Sequence, residues 1–538
     1  MNRVLLTGLA FCFSTLVCGA EKKQPNIIIY FADDISAREL PLYGSSVWCD
    51  GIRGGDTSDP AKRASTPVLD RLSEEGVWVT NAWAATICSP SRAMMMTGRH
   101  AHRTKWWNNK DRGVYKDPRG RFTTWPLYES SPILISHVAN EAGYATFWTG
   151  KTQMVGPFEA YGFHEGAFTP GNWEHLDNPY TDFRLLFEER DGQRLLINDD
   201  TDEQVFTYKQ HGWNFFPHVK VLNHPANPGE LVWWPNTPEA RAAFDVTTYG
   251  PDVEQDLALN FMDRAHAEGK PFLIYHTSHL GHDAFDWLNP DSDSKWPGTP
   301  VIEWDGQKYT RAEVKITGDD GEYDTHGTVT EPGMHSHLNY IDYQIWRYLE
   351  KLEAMGEAEN TIIIFTSDNG TSGFGKNSPI QQRGAHVPFI VYSPGMTKSG
   401  KQDALVSLTD VLPTIAELVG CELPADYEID GESLVPFLFG EEREHRKWVY
   451  SFRGPEQFIR GKYVLKDGAE KWWDVSNTPN DLTSFAPITN WNQVSEVHLG
   501  EREKLEAILP VYDLYFDEHE APGIPNRFPK INYRRKAE

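Results

Sequence analysis

Apolar residues in the first 370 positions of this 538-residue chain fall into short continuous runs at 26–31, 145–148, 271–276 and 361–366, with a fifth following at 388–392. Runs of that length bounded by polar residues predict strands buried on both faces. Between them, segments 66–76, 133–142, 253–267 and 335–355 repeat apolar positions at a spacing near that of a helix. Strand and helix therefore alternate, which predicts an α/β fold built on a doubly wound, mostly parallel sheet.

The pattern changes beyond about residue 440. Short strand-like runs at 448–452, 457–459, 463–466 and 471–474, then a helical stretch at 502–509, predict a smaller C-terminal antiparallel-sheet subdomain over 441–538. Two stretches inside the α/β part, 156–250 and 281–334, are rich in Gly, Pro, Asp and aromatic residues and exceed ordinary loop lengths. They read as insertions whose rings (Trp213, Phe215, Phe216, Trp233 and Trp234; Trp287, Trp296 and Trp304) form local aromatic cores in preference to a sugar-stacking wall.

In sheets of this kind ligands bind beyond the carboxyl ends of the strands. Polar residues stand at those ends: Asp33 and Asp34 after the first run, Lys151 and Gln153 after the second, His279 and His282 after the third, Asp368 and Asn369 after the fourth. The carboxylates and the amide are hard oxygen donors, of the kind a divalent cation needs. Calcium is preferred to magnesium because it accepts about six to eight irregularly placed oxygens.

Composition narrows the setting. Met1 to Arg3, the apolar run 4–17 and the small residues Cys18 to Ala20 predict an export leader over 1–20, leaving 21–440 as the catalytic unit. The protein is then periplasmic or secreted, and no apolar run is long enough for a stable membrane span. Loss of the leader leaves Cys49, Cys88 and Cys421; two cysteines besides Cys88 make no disulfide framework, and free thiols are expected. A net charge of −26 argues against nucleic acid as partner. Against that background, residues 99–121 carry eight cations (Arg99, Arg103, Lys105, Lys110, Arg112, Lys116, Arg119, Arg121) and two aspartates, with Trp106, Trp107, Tyr115, His100 and His102 interleaved. This segment is either a solvated loop or an anion or sugar subsite.

The most specific signal precedes that segment: Cys88-Ser89-Pro90-Ser91-Arg92-Ala93, then Thr97-Gly98-Arg99. Ser89 as cap and Pro90 as first residue predict a helix over 90–97, with Cys88 just before its anion-attracting N-terminus and Arg92 one turn along. The segment resembles the type I sulfatase signature, in which the cysteine is oxidised to formylglycine. The resemblance extends to Pro25–Asp34, Thr66–Val77, Thr361–Gly370, Asp410–Gly420 and Asp430–Leu434, and it implies an alkaline-phosphatase-like fold. It further implies calcium held by Asp33, Asp34, Asp368, Asn369 and the modified Cys88. Arg92 then stabilises the aldehyde hydrate, Lys151, His279 and Lys376 hold the sulfate, and His279 protonates the leaving alcohol. Lys376 sits one residue further from Val387-Pro388 than in the family pattern. Where the family has Gly-Lys-Trp-His, this chain reads Gly150-Lys151-Thr152-Gln153, and an amide cannot accept a proton as histidine does. His102, His282, His386 or water stand in as candidates for that role.

The implied partners are a sulfated carbohydrate and a maturation enzyme, either a formylglycine-generating or an anaerobic one. Two other readings stay open: a phosphonate monoester or phosphodiester hydrolase of the same fold, and a sulfated-glycan binding protein without turnover, which Gln153 favours.

Overall fold

The computed structural model describes residues 23–49, 56–169, 185–198, 202, 219–234, 249–282, 284, 299–313, 330–331 and 333–523. The leader and Trp213, Phe215, Phe216, Trp287 and Trp296 lie outside them.

An 11-stranded sheet forms the centre. Its strands in chain order are β1 (Asn26–Ala32), β2 (Val77–Trp83), β3 (Ala145–Lys151), β4 (Glu165–Thr169), β5 (Lys220–Leu222), β6 (Leu231–Trp233), β7 (Phe272–Thr277), β8 (Thr361–Ser367), β9 (His386–Val387), β10 (Phe389–Tyr392) and β11 (Gly400–Ser407). Across the sheet they run β6-β5-β4-β3-β7-β1-β8-β10-β2-β9, with β11 also paired to β2. The middle of the sheet, β4-β3-β7-β1-β8, is parallel throughout. Strand β10 runs against both neighbours, so the sheet is mixed at its edges.

Alternation along β1 sends its side chains into two cores. Ile27, Ile29 and Phe31 join a core that includes helix α2 (Cys88–Thr97), α3 (Ile135–Glu141) and α6 (Val411–Val419). Ile28, Tyr30 and Ala32 join one formed with α1 (Pro67–Glu75), α4 (Gly250–Ala267) and α5 (Met334–Met355). Burial on both faces explains the continuous apolar runs. Two strands escape that pattern. β2 is interrupted by Thr80 and Asn81, and the first half of β11, Gly400–Asp403, is polar and partly exposed.

The C-terminal residues form a five-stranded antiparallel sheet of Val449–Arg453, Glu456–Arg460, Val464–Lys466, Trp472–Asp474 and Ala486–Pro487. It packs on the main sheet through a small core in which Val449, Phe458 and Leu465 meet Trp83, Ala385 and Leu405. Helix α7 (Glu496–Ile508) and the short α8 (Tyr515–His519) follow. No described helix is long and apolar enough to cross a membrane. In the described parts of the insertions, Trp304 packs on Tyr309 at 4.8 Å and Trp233 lies beneath Lys220, so these rings serve local packing.

Candidate active site

Strand register aligns four of the edges that bear the site. Phe31 pairs with Thr277, Thr277 with Gly150 and Ala32 with Ser367, so the residues just beyond β1, β3, β7 and β8 emerge side by side. The Asp33 N–H donates to Leu280 O at 3.2 Å and the Asp368 N–H to Ala32 O at 3.2 Å. Two glycines make the close approach possible. Gly150 has φ +92° and a Cβ there would sit 2.1 Å from Thr277 O; Gly281 has φ +103° and its Cβ would lie 1.9 Å from Asp33 O. Any side chain at either place would push a site-bearing strand end aside.

Helix α2 starts two residues earlier than predicted, at Cys88, with extended Ile87 as its cap and no side-chain cap bond. The reason is a distant residue: Asn109 Oδ1 accepts from the Ser89 N–H at 2.9 Å, doing what a local Ser89 cap was expected to do. Pro90 still falls in the first turn, where its missing N–H costs nothing. Asn109 carries no sequence signal; only the folded position of the loop after α2 gives it this role.

Cys88 Sγ is buried, 3.7 Å from Asp33 Oδ1, Asp34 Oδ1 and Lys151 Nζ. Lys151 pairs with Asp33, and Lys376 Nζ donates to Asp34 Oδ2 at 2.6 Å. Arg92 Nη2 donates to Asp368 Oδ2 at 2.9 Å and lies 3.8 Å from Asp33 Oδ2. Asp368 Oδ1 accepts from the Asp34 N–H at 3.0 Å, and Asn369 Nδ2 donates to Asp34 Oδ1 at 2.7 Å. His282 Nε2 stands 3.0 Å from Lys376 Nζ and 3.8 Å from Asp34 Oδ2. His279 is buried in the same loop, next to Leu280.

Three carboxylates in one buried space are electrostatically expensive. Burial opposes ionisation of Asp33, yet the charges of Lys151, His282, Arg92 and Lys376 hold it well below the ordinary carboxylate range. Burial, with the Asp33 charge beside it, pushes Asp368 up to about 7. Burial also raises the Cys88 thiol, and Asp368 adds to the effect.

Donor atoms from Asp33, Asp34, Cys88 and His282 all lie within 4.8 Å of one another, close enough to share a cation. Asn369 Oδ1 is buried beside them without a hydrogen-bond partner, and a buried oxygen left unpaired in this way fits a metal ligand. Asp368, expected among the ligands, lies outside that four-residue group; its Oδ2 accepts from Arg92 and its Oδ1 from the Asp34 N–H.

Two histidines weighed from the sequence stand elsewhere. His102 packs edge-on against Tyr512 at 4.8 Å with Asp430 beyond it, and burial lowers it to about 4. His386, in β9, has Nε2 on Thr80 O at 2.8 Å and Nδ1 on Gln382 Nε2 at 3.2 Å. Both are packing residues at the seam with the C-terminal sheet. Gln153 stands beside the site with φ +48° and a buried, unpartnered Oε1. Part of the basic stretch is spent on structure: Arg103 pairs with Asp430 and Glu428, Lys105 with Glu518, Arg121 with Asp117, and Trp106 and Trp107 are buried. Cys49, Cys88 and Cys421 form no disulfide. A cavity of about 760 Å³ between the C-terminal sheet and α7, lined by Trp448, Arg460 and Tyr463, shares no residue with this cluster.

A family model described as Sulfatase matches residues 25–421. Over 93% of its length the chain is 25% identical to an uncharacterized sulfatase, YdeN, of Escherichia coli, covering 82% of that protein. It is 23% identical to the N-acetylgalactosamine-6-O-sulfatase of Bacteroides thetaiotaomicron, with 95% of the chain and 92% of the relative aligned. Among solved structures, the PsFucS1 sulfatase from Pseudoalteromonas sp. superposes with a TM-score of 0.58 at 19% identity, covering 93% of this chain and 92% of that one. The match spans both the Cys88 helix and the strand ends that surround it, and on that ground the chain belongs to the sulfatase family, enzymes that hydrolyse sulfuric esters.

Proposed function

We propose that the protein is an exported, calcium-dependent sulfatase that removes sulfate from a carbohydrate, using a formylglycine made from Cys88. The observation that carries this reading is the convergence of Lys151, Asp33 and Asp34 within 3.7 Å of Cys88 Sγ. The carbohydrate part is supported by the named substrate of the Bacteroides relative, a sulfated amino sugar.

Asp33, Asp34, Asn369 and residue 88 would hold the calcium, with His282 and Asp368 at its border. When bound, calcium supplies Lewis-acid polarisation of the sulfate and of its nucleophile. The aldehyde hydrate, once formed, supplies one hydroxyl to attack sulfur and a second whose deprotonation expels sulfate. The chain's own groups do the rest. Lys151 and Lys376 trade their carboxylate partners for sulfate oxygens and stabilise the charge that builds there. Arg92, fixed by Asp368, keeps a permanent positive charge against residue 88. His279 donates a proton to the leaving oxygen, and His282 Nε2, beside Lys376 and Asp34, takes the proton that Gln153 cannot accept.

The test uses protein co-expressed with a maturation enzyme. Mass measurement of the peptide holding residue 88 should show the aldehyde, and sulfate release should follow on a panel of defined sulfated saccharides. Cys88→Ala should abolish release. Aldehyde-bearing protein that binds these saccharides but releases no sulfate would select the binding-protein reading. Hydrolysis of aryl phosphonate esters in preference to sulfates would select the phosphonate hydrolase.

A further inference from the structure

Arg112, in the basic stretch, reaches the first turn of the Cys88 helix. Its Nη2 donates to Ser89 Oγ at 3.2 Å and to Gln153 O at 3.4 Å, and its plane lies over Trp106 at 4.8 Å. It thus joins the residue after Cys88 to the segment just past Lys151. No carboxylate among the described residues pairs with it; Nε is buried without an acceptor, and Nη1 makes no hydrogen bond. The neighbouring Gln153 Oε1 is also buried and unpartnered.

Arg92, Lys151 and Lys376 differ from it: each is neutralised by an aspartate of the central cluster. Burial with no acid to offset it draws the Arg112 guanidinium down to about 10. A half-buried cation in that state costs free energy unless a ligand completes it. A guanidinium's planar fork matches an oxyanion.

We propose that Arg112, with Gln153 beside it, forms a second anion subsite adjoining the sulfate pocket, which selects substrates carrying a further carboxylate or sulfate next to the scissile sulfate. This rests on the sulfatase reading above and adds to it the charge pattern of the substrate. Ser89 Oγ, already held by Arg112 Nη2, and the Gln153 side-chain amide would add polar contacts to that second anion.

The experiment compares wild type, Arg112→Gln and Arg112→Lys on three probes: N-acetylgalactosamine 6-sulfate, its 4,6-disulfate, and the 6-sulfated sugar linked to a hexuronate. Wild type should show a kcat/KM at least tenfold higher on one of the doubly charged probes, and which one distinguishes sulfate from carboxylate as the second anion. Arg112→Gln should collapse that ratio at least tenfold, and Arg112→Lys should keep part of it. The same ratios are read as binding affinities in the Cys88→Ala background, where maturation and turnover play no part. Sulfate release with no preference, an Arg112→Gln loss equal on all three probes, or binding in the Cys88→Ala background without preference would each overturn the proposal. Preferential binding by Cys88→Ala protein, with no turnover by aldehyde-bearing wild type, would instead sink the sulfatase reading and leave the anion subsite standing.

Discussion

Asp410→Asn should destabilise the protein severely and loosen the helix that begins at Cys88. Asp410 is buried at the start of α6, and its carboxylate accepts from Arg446 Nε at 2.8 Å, His445 Nε2 at 2.9 Å, the Ser407 N–H at 2.8 Å and the Glu432 N–H at 2.9 Å. The Arg446 side chain is only 3% exposed, and its remaining acid, Glu432, lies 3.4 Å away and faces solvent. An isosteric amide leaves that guanidinium buried without its charge partner, a loss of about 3–5 kcal/mol. The Asp430 and Gly431 N–H groups donate to Gly98 O, each at 3.0 Å, and Arg446 Nη2 donates to Asp430 O at 2.8 Å. The clamp therefore fixes the turn that closes the C-terminal end of α2. Burial opposes ionisation of Asp410, but Arg446 and His445 hold its carboxyl well below the ordinary range. A lowered native pKa contributes stability that is present above the unfolded value and lost as pH falls towards the native one. Urea unfolding of wild type should therefore weaken below about pH 5, and Asp410→Asn should lose that part of the slope. Amide exchange over 94–100 should accelerate in the variant. Arg446→Met added to Asp410→Asn should recover most of the loss, since removing both partners of a buried pair is often neutral. A single-variant loss below about 1 kcal/mol, the size of a surface pair, or a double variant worse than the single, would refute the reasoning.

Calcium added to EGTA-treated protein should raise the melting temperature, by the equivalent of about 2.7 kcal/mol at a hundredfold excess over Kd, and Asn369→Ala should reduce that gain; an unchanged gain would remove Asn369 from the ligand set. Gly281→Ala should abolish both the calcium shift and turnover, because its Cβ would overlap Asp33 O; retention of either would show that the loop after β7 can relax. Burial alone would lower His519, but its bond to Asp111 at 2.9 Å and the charge behind it raise it above its ordinary value. A raised histidine stabilises fully below about pH 6.5 and less as pH climbs through the native value, so thermal scans from pH 6 to 9 should show a decline that His519→Gln flattens.

What the sequence conveyed about this fold depended on whether the physics was local. β1, β3, β7 and β8 are buried on both faces, so each announces itself as an apolar run, and the parallel register then brings Asp33, Lys151, His279 and Asp368 to one edge without any further signal. β2 and β11 lie on the same sheet yet were silent, because Thr80, Asn81 and the polar start of β11 break the run. The Cys88 helix was visible from its own residues, but its first residue was not, since the cap comes from Asn109. Helix α1 repeats the lesson: Thr66 makes no side-chain cap bond, and Asp342 of α5 accepts from the Val68 and Leu69 N–H groups at 3.1 and 2.7 Å. Histidine gave the poorest guidance. His102, His282 and His386 were equivalent as letters, and only the fold separates one that meets Lys376 and Asp34 from two that pack elsewhere. Arg112 shows why such residues escape. In the sequence it is one of eight cations whose common fate is solvent; its partners, Ser89 and Gln153, are 23 and 41 residues away. Partial burial between them, with no acid supplied, sets it apart from Arg103, Lys105 and Arg121 of the same stretch, each of which pairs with a carboxylate.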